Sequence, residues 1–183
     1  MANDCLYEMK VRGSKEAIQY VIDCLKADYN YSEEKGATHR HFFRIFDCYD
    51  DSPIEEVGEG VYEKYIFGYC AWSVSTCMSE GGYYGDCKKN HPDICMGISL
   101  AEVTKDQHCI IEVFSEEEGM CFSEHYIYDN GECIWDDTVE IQTGGYNEKG
   151  EPTTDIDWDT YDGEFVVFND HRLGFEEGFA WSI

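Results

Sequence analysis

The sequence predicts a folded α+β domain, and three observations support this fold class. Apolar residues make up 43% of the chain and aromatic residues 15%, which suffices for a hydrophobic core and is unlike a disordered acidic chain. Near the start, a segment that alternates with period two is followed by one with helical spacing. Later, Asn130-Gly131 stands between two strand-like runs, which indicates a β-hairpin. Strands and helices therefore mix along the chain.

The first predicted elements are a strand and a helix. Residues 5–12 alternate apolar and polar side chains, as a strand with one solvated face does. Gly13 ends this strand, and Ser14 is placed to cap the helix that follows. Apolar residues then recur at helical spacing from Ile18 to Leu25, which extends the helix to about residue 27.

In the middle of the chain, the sequence predicts two further strands, two short helices and a loop. In order, these are a strand at residues 41–48, a strand at 61–70, a helix at 71–78, a loop at 81–92 and a helix at 100–106. The last helix begins with Ser99 and Glu102, which match a capping box.

A fourth strand at residues 109–114 precedes the hairpin, whose strands are residues 120–129 and 132–142. The order β-α-β-β-α-β-β-β matches a ferredoxin-like β-α-β-β-α-β sandwich with an added C-terminal β-hairpin and an acidic extension. Residues 1–145 are thus predicted to form one ferredoxin-like α+β domain. Residues 146–183 are predicted to be an acidic, aromatic-containing C-terminal extension packed on that domain.

The net charge is the most unusual property of the composition. The chain has 39 Asp and Glu against 13 Lys and Arg, which gives a formal charge of −26. This balance excludes nonspecific binding to nucleic acid or to an anionic membrane, since both need Lys and Arg. High-salt solubility, cation binding and a basic protein partner remain as explanations. Ten cysteines and many aromatics fit poorly with a halophilic protein.

The sequence also predicts a cytoplasmic location without a membrane segment. The chain starts without the basic and apolar regions of a signal peptide, and no stretch reaches the roughly 18 apolar residues of a spanning helix. The ten cysteines are scattered singly, and none forms a C-x-x-C pair. Such cysteines are typical of reduced, partly buried thiols in a reducing compartment.

Acidic residues concentrate late in the chain. Between Glu112 and Glu164 there are 17 carboxylates and one Lys or Arg. Within this stretch Asp155, Asp157 and Asp159 alternate with other residues, so in an extended chain they point the same way about 6.6 Å apart. That spacing is comparable to the phosphate spacing of a nucleic-acid strand, and together with the charge of the whole chain it favours mimicry of nucleic acid. A charged strand edge that prevents aggregation is the alternative.

Metal binding is not predicted, although two kinds of site were candidates. A calcium loop starting at Asp155 would need Gly at its sixth position and Glu at its twelfth, where this chain has Thr160 and Val166. Zinc stays open as an alternative because four soft ligands lie close in sequence. These ligands are Cys77, Cys87, His91 and Cys95. Their spacing matches no known zinc knuckle, so the prediction is that the protein holds no metal and no cofactor.

Catalytic residues are not predicted either. The chain lacks the phosphate-binding loop, the nucleophile elbow and the H-E-x-x-H zinc motif. His125 lies within a predicted strand, where a histidine is more often a structural hydrogen-bonding group than a base. The sequence therefore predicts a protein that is not an enzyme, with a small hydrolase as an alternative that no motif supports.

Two stretches of the chain resemble a known family. The first is Gly68-Tyr69-Cys70-Ala71-Trp72-Ser73-Val74, and the second runs from Ile111 to Met120 and continues at Glu124-His125-Tyr126. Both are similar to segments of small proteins of gut Clostridia and their phages, which are in turn similar to phage-associated YubB-type ferredoxin-like domains. The resemblance covers roughly residues 1–145. It implies a ferredoxin-like fold without a catalytic set.

Size and acidity also resemble those of anti-CRISPR proteins of the type II-A group, which inhibit RNA-guided Cas nucleases. This resemblance implies a basic nucleic-acid-binding partner in the cytoplasm of a bacterial host, with no direct binding of nucleic acid. Cas nucleases hold guide and target in positively charged channels, which an acidic competitor fits. An immunity protein against a basic nuclease toxin is the alternative.

The predicted contacts with this partner are acidic side chains of the late strands and the extension. They are Glu116, Glu117, Glu118, Asp136, Asp137, Asp155, Asp157, Asp159, Asp162 and Glu164.

Overall fold

A computed structural model describes residues 4–27, 39–93, 95–117 and 122–140 of the chain. In chain order its elements are β1 (Asp4–Gly13), α1 (Lys15–Lys26), β2 (Ile45–Tyr49), β3 (Glu55–Gly58), β4 (Val61–Ala71), α2 (Val74–Met78), α3 (Tyr83–Asn90), α4 (Leu100–Gln107), β5 (Ile110–Glu117), β6 (Phe122–Asp129) and β7 (Glu132–Glu140). This mixture of strands and helices confirms the predicted α+β class.

The seven strands form one antiparallel sheet. Its order is β2-β4-β1-β5-β6-β7, and β3 pairs with the beginning of β4. β1 lies in the middle, where it pairs with β4 along its whole length and with β5 on its other side. Among the residues that the structure describes, the sheet therefore has one edge at β2 and β3 and the opposite edge at β7.

The hydrophobic core lies between one face of the sheet and the helices. Cys5, Tyr7, Met9 and Val11 of β1 alternate toward this face and are fully buried. The apolar stripe of α1 and the buried residues of α2 and α4 belong to the same core cluster. We call the opposite side of the sheet the outer face; it carries the even-numbered side chains of β1.

Helix caps and the hairpin form as the sequence predicts. The Ser14 hydroxyl accepts a hydrogen bond from Ala17 N at 3.1 Å, and the Ser99 hydroxyl accepts one from Glu102 N at 3.1 Å. At the β6–β7 turn, Asn130 and Gly131 have φ values of 47° and 91°. Two positive φ values are typical of a type I′ turn, whose twist matches that of the two flanking strands.

Several predicted elements differ from the structure. Residues 81–92 were predicted to be a loop but contain α3, whose one buried residue, Tyr84, leaves no apolar stripe to recognise. β3 was not predicted because all four of its residues are exposed and show no alternation. β2 begins at Ile45, since the residues before it form a turn and an isolated bridge. The extension at residues 146–183 lies outside the described residues.

Glu102 joins the loop before β2 to α3 and α4. Its carboxylate lies 2.5 Å from Arg40 Nη2 and 2.7 Å from Lys88 Nζ. Burial alone would raise the pKa of Glu102, but hydrogen bonds from Lys88, Tyr84 and Arg40 together outweigh it, so this pKa lies below its ordinary value. The ion pairs therefore favour the charged carboxylate.

Among the residues that the structure describes, no helix has both the length and the apolar character needed to cross a membrane.

Candidate protein-docking surface

The sheet edge formed by β2 and β3 is strongly acidic. Between residues 47 and 63 the chain has seven carboxylates and no Lys or Arg. We define the exposed residues from Phe46 to Glu59 as the acidic corner. It belongs to the described part of the chain and lies far in sequence from the predicted row of aspartates.

Two of these seven carboxylates are used to hold the fold together. Glu63 lies 2.6 Å from Lys10 Nζ and 2.5 Å from Arg12 Nη2, and Asp50 lies 2.5 Å from Lys26 Nζ. Burial alone would raise the pKa of Glu63, but the hydrogen bonds from Lys10 and Arg12 outweigh the effect of burial, so this pKa lies below its ordinary value. The hydrogen bond from Lys26 is the main reason that the pKa of Asp50 is lowered.

The other five carboxylates are exposed and are not ion-paired with any residue that the structure describes. They are Asp47, Asp51, Glu55, Glu56 and Glu59. Five negative charges within thirteen residues, with no ion pair to any described residue, produce a local negative potential that attracts cations and basic proteins.

Large apolar side chains are exposed in the same corner. Phe46 is 45% exposed, Tyr49 41%, Ile54 38% and Val57 47%. Single exposed apolar residues are ordinary on protein surfaces, but a group of them bordered by charges is typical of an interaction site. The acidic corner thus offers apolar contact area as well as charge.

Aromatic side chains continue this surface onto the outer face of the sheet. Tyr49 stacks on Phe67 with ring centroids 4.9 Å apart, and Tyr65 lies 6.0 Å from Phe67. Tyr69 follows on the same face of β4 and is 37% exposed. We call Tyr49, Tyr65, Phe67 and Tyr69 the aromatic strip. Rings of this kind bury much area at low entropy cost and also attract Lys and Arg.

Gly68 explains why β2 lies so close to β4 at this point. A Cβ atom on Gly68 would lie 2.0 Å from the carbonyl oxygen of Asp47 and 2.7 Å from the Tyr7 hydroxyl. That hydroxyl donates a hydrogen bond of 3.0 Å to the same carbonyl. Because glycine allows this approach, the rings of Tyr49 and Phe67 meet, and the aromatic strip borders the acidic corner.

The structure buries two of the predicted contact residues. Glu116 is 6% exposed and Glu117 is 5% exposed, at the end of β5. All residues of β5 are buried, as in a central strand covered on both faces. Both side chains offer little surface to a partner, and their role as contacts stays a prediction. The first two glutamates of the run Glu116–Glu118 belong to the buried strand β5.

Of the other predicted contacts, Asp136 is exposed on β7, at the opposite edge of the sheet. Asp137 lies in the same strand. Ile134 and Trp135 beside them are 58% and 40% exposed. The remaining predicted contacts lie outside the described residues: Glu118, Asp155, Asp157, Asp159, Asp162 and Glu164. Their role as contacts stays a prediction.

A Glu–His pair lies in the middle of the sheet. His125 Nε2 is 2.8 Å from Glu112 Oε1, and both side chains are almost completely buried. A histidine that acts as a base for a nucleophile must hydrogen-bond to it. The nearest serine on the same face of β6, Ser123, makes no hydrogen bond to any described residue. His125 thus shares a buried hydrogen bond with Glu112, and the structural role expected of it stays a prediction.

The candidate zinc ligands do not come together in the described residues. No group of three or more His, Cys, Asp and Glu side chains there is arranged to hold a metal ion. Cys77 is buried, and its thiol donates a hydrogen bond of 2.8 Å to the carbonyl of Ala71. Cys87 lies within α3 and His91 caps that helix at its end.

The acidic corner had a signal in the sequence that the prediction did not use. Residues 47–63 contain no cation, a run as biased as parts of the late acidic region. The Asp50-Asp51-Ser52-Pro53 turn lies within it. Exposure of the apolar residues could not be predicted, since it depends on β3 standing at the sheet edge.

Comparisons of the chain with protein-family models, with curated proteins and with solved structures found no match.

Proposed function

We propose that this protein is a non-enzymatic binding protein that docks on a positively charged protein surface. The observation that carries the proposal is the acidic corner, where five exposed carboxylates without ion pairs to described residues border exposed apolar side chains. Charge of this kind steers a basic partner toward the surface, and buried aromatic area then supplies affinity. The aromatic strip provides such area beside the charges.

The partner that fits best is a basic nucleic-acid-binding protein, and the most specific form of the proposal is a Cas nuclease. A surface built to hold a nucleic-acid backbone presents clustered Lys and Arg. A folded protein with a net charge of −26 is suited to compete for that surface. In this proposal the protein is an anti-CRISPR inhibitor, and Asp136 and the late row of aspartates add contacts to those of the acidic corner.

An immunity protein against a basic nuclease toxin is the second candidate. The acidic corner supports it equally, because a toxin that binds nucleic acid is also basic. The two candidates differ in which enzyme they inhibit. Protection of DNA from a Cas nuclease supports the first, and neutralisation of a toxin supports the second.

The proposal includes a ferredoxin-like core and a cytoplasmic location in a bacterial host. The order β2-β4-β1-β5, with helices α1 and α4 on one face, supports this core, to which β6 and β7 are added. The nine cysteines that the structure describes are free thiols, which is typical of a reducing compartment.

The test compares two variants of equal net charge. In the corner variant, the five exposed carboxylates of the acidic corner become the corresponding amides. In the control variant, five exposed carboxylates outside the acidic corner are changed in the same way: Glu16, Asp23, Glu80, Asp93 and Asp106. Binding to a purified Cas nuclease with its guide RNA, and to a basic nuclease toxin, is measured at low and high salt, together with inhibition of cleavage.

We expect the corner variant to bind its partner at least about tenfold more weakly than the control variant, since several charge contacts of a few tenths of a kcal/mol are lost together. Binding of the wild-type protein should weaken with salt. Equal affinities of the two variants, or affinity that salt does not change, would contradict docking through the acidic corner. Hydrolysis of nucleic acid by the protein alone would contradict a non-enzymatic role.

A further inference from the structure

A cavity of about 970 Å³ lies between the end of α1, the strand β2 and helix α3. The buried side chains of Leu25 and Phe43 line it, together with Ile45 and Tyr83. Phe46 is exposed at its mouth, where the cavity borders the acidic corner. A concave, partly apolar space of this size is typical of a small-molecule site.

Arg44 lines this cavity in an unusual backbone conformation. Its φ is 51°, a left-handed value that costs free energy in a residue other than glycine. Hydrogen bonds of 3.1 Å hold it there, from Ala71 N to Arg44 O and from Phe43 N to Cys77 O. Strained residues held by their surroundings cluster at ligand sites, so this conformation makes the Arg44 side chain a candidate ligand-binding group.

The guanidinium of Arg44 is held against Tyr83. Nη1 donates a hydrogen bond of 3.2 Å to the Tyr83 hydroxyl, and the guanidinium carbon lies 5.6 Å from the ring centroid. Arg12 and Arg40, the other arginines in the described residues, each pair with a carboxylate. Arg44 has no carboxylate partner among those residues, although the chain has three acidic residues for every basic one. A guanidinium has five N–H donors, so most of its capacity to bind an anion is unused.

The other charged residues around the cavity define the charge of its ligand. Lys26 is paired with Asp50 outside the cavity lining. Asp47 and Asp86 are exposed, whereas Arg44 is half-buried, so the two negative charges of the lining are more open to solvent than the positive charge of Arg44. A ligand with several negative charges would be repelled by these two carboxylates. A ligand with one negative charge and an apolar body suits both Arg44 and the apolar lining.

We propose that this cavity binds a small organic monocarboxylate with a planar or apolar body. The carboxylate is bound by Arg44, for which a planar guanidinium is well matched, and the body packs on Leu25, Phe43 and Tyr83. This function is independent of protein docking through the acidic corner, since it needs neither the aromatic strip nor the five exposed carboxylates together.

The probes are indole-3-acetate and its neutral amide, which differ only in the carboxylate. Calorimetric and NMR titrations with both probes use the wild-type protein, Arg44→Gln and Lys89→Gln. The two variants have the same net charge, and Lys89 is exposed on α3 outside the cavity lining. A third variant, Tyr83→Phe, removes the hydroxyl that holds Arg44 and leaves the guanidinium in place.

We expect the carboxylate to bind at least about tenfold more tightly than the amide, and this preference to disappear in Arg44→Gln but not in Lys89→Gln. Tyr83→Phe should weaken the carboxylate alone, which gives a second measurement if Arg44→Gln folds poorly. The proposal is overturned if carboxylate and amide bind equally, if Lys89→Gln and Arg44→Gln have the same effect, or if the wild-type protein shows no saturable binding.

Discussion

Glu124 is a buried carboxylate that joins β6 to the start of α2. Its Oε2 accepts hydrogen bonds from Val74 N at 3.0 Å, from Ser75 N at 3.3 Å and from the Ser115 hydroxyl at 2.8 Å. Its Oε1 accepts one from the Tyr126 hydroxyl at 3.3 Å. One side chain on the sheet thus satisfies donors on a helix and on a neighbouring strand.

Replacing Glu124 by alanine should be strongly destabilising. Val74 and Ser115 are fully buried, so their donors would lose their acceptor without gaining water. Each buried donor without a partner costs about 1–3 kcal/mol, which gives about 2–6 kcal/mol for the two. For a chain of this length, that loss lowers the melting temperature by roughly 5–20 °C. Glu124→Gln keeps an acceptor oxygen and should cost less, about 1–2 kcal/mol.

The assay is urea unfolding followed by circular dichroism, with amide hydrogen exchange at Val74 and Ser75. The matched control is Glu132→Ala, which removes an exposed carboxylate from β7 and should change the free energy of unfolding by about 0.5 kcal/mol or less. Exchange at the two amides should accelerate in Glu124→Ala and not in the control. If Glu124→Ala lies within about 1 kcal/mol of the control, the carboxylate does not anchor α2 and the reasoning fails.

Three further predictions concern stability. Because the pKa values of Glu63 and Glu102 lie below the ordinary 4.5, their ion pairs stabilise the fold fully above that pH and less as the pH falls. Destabilisation by Glu63→Gln or Glu102→Gln should therefore shrink in acid, and a difference independent of pH between 3 and 7 would contradict this. Gly97→Ala would place a Cβ atom 2.2 Å from the Phe43 ring. This contact should lower the free energy of unfolding in urea by about 1–3 kcal/mol. An unchanged free energy would mean that the ring moves freely. Gly131→Ala, at a φ of 91°, should cost about 1–2 kcal/mol, and an unchanged melting temperature would show that the hairpin turn adopts another geometry.

Local patterns predicted most of the fold because they are set by short-range chemistry. Alternation in β1, the Ser14 and Ser99 caps and the Asn130-Gly131 turn each involve neighbouring residues, and each formed where the sequence predicted it. β3 and α3 lacked such patterns, since one is wholly exposed and the other buries a single residue.

The candidate site was harder to predict because exposure is a property of the whole sheet. Glu116 and Glu117 stand in a run of charged residues, and their burial in β5 has no signal in that local pattern. Phe46 and Val57 are apolar residues of β2 and β3, which lie at the edge of the described sheet, and both are exposed. The contribution of Arg44 depends on a cavity between elements distant in sequence.

The pairing of the basic residues explains how a stable fold and an acidic surface coexist. Glu63 and Glu102 each bind two cations, and Asp50 binds one, so five basic residues neutralise only three carboxylates. A carboxylate has two oxygens and can accept two donors. A few half-buried carboxylates therefore pair with several of the basic residues, and these ion pairs support the fold. The carboxylates of the acidic corner have no such role in the described structure. Neutralising these carboxylates should change the free energy of unfolding by no more than about 0.5 kcal/mol per residue, whereas it should weaken binding to the partner. Such a result would separate the charges that stabilise the fold from the charges proposed to act on a partner.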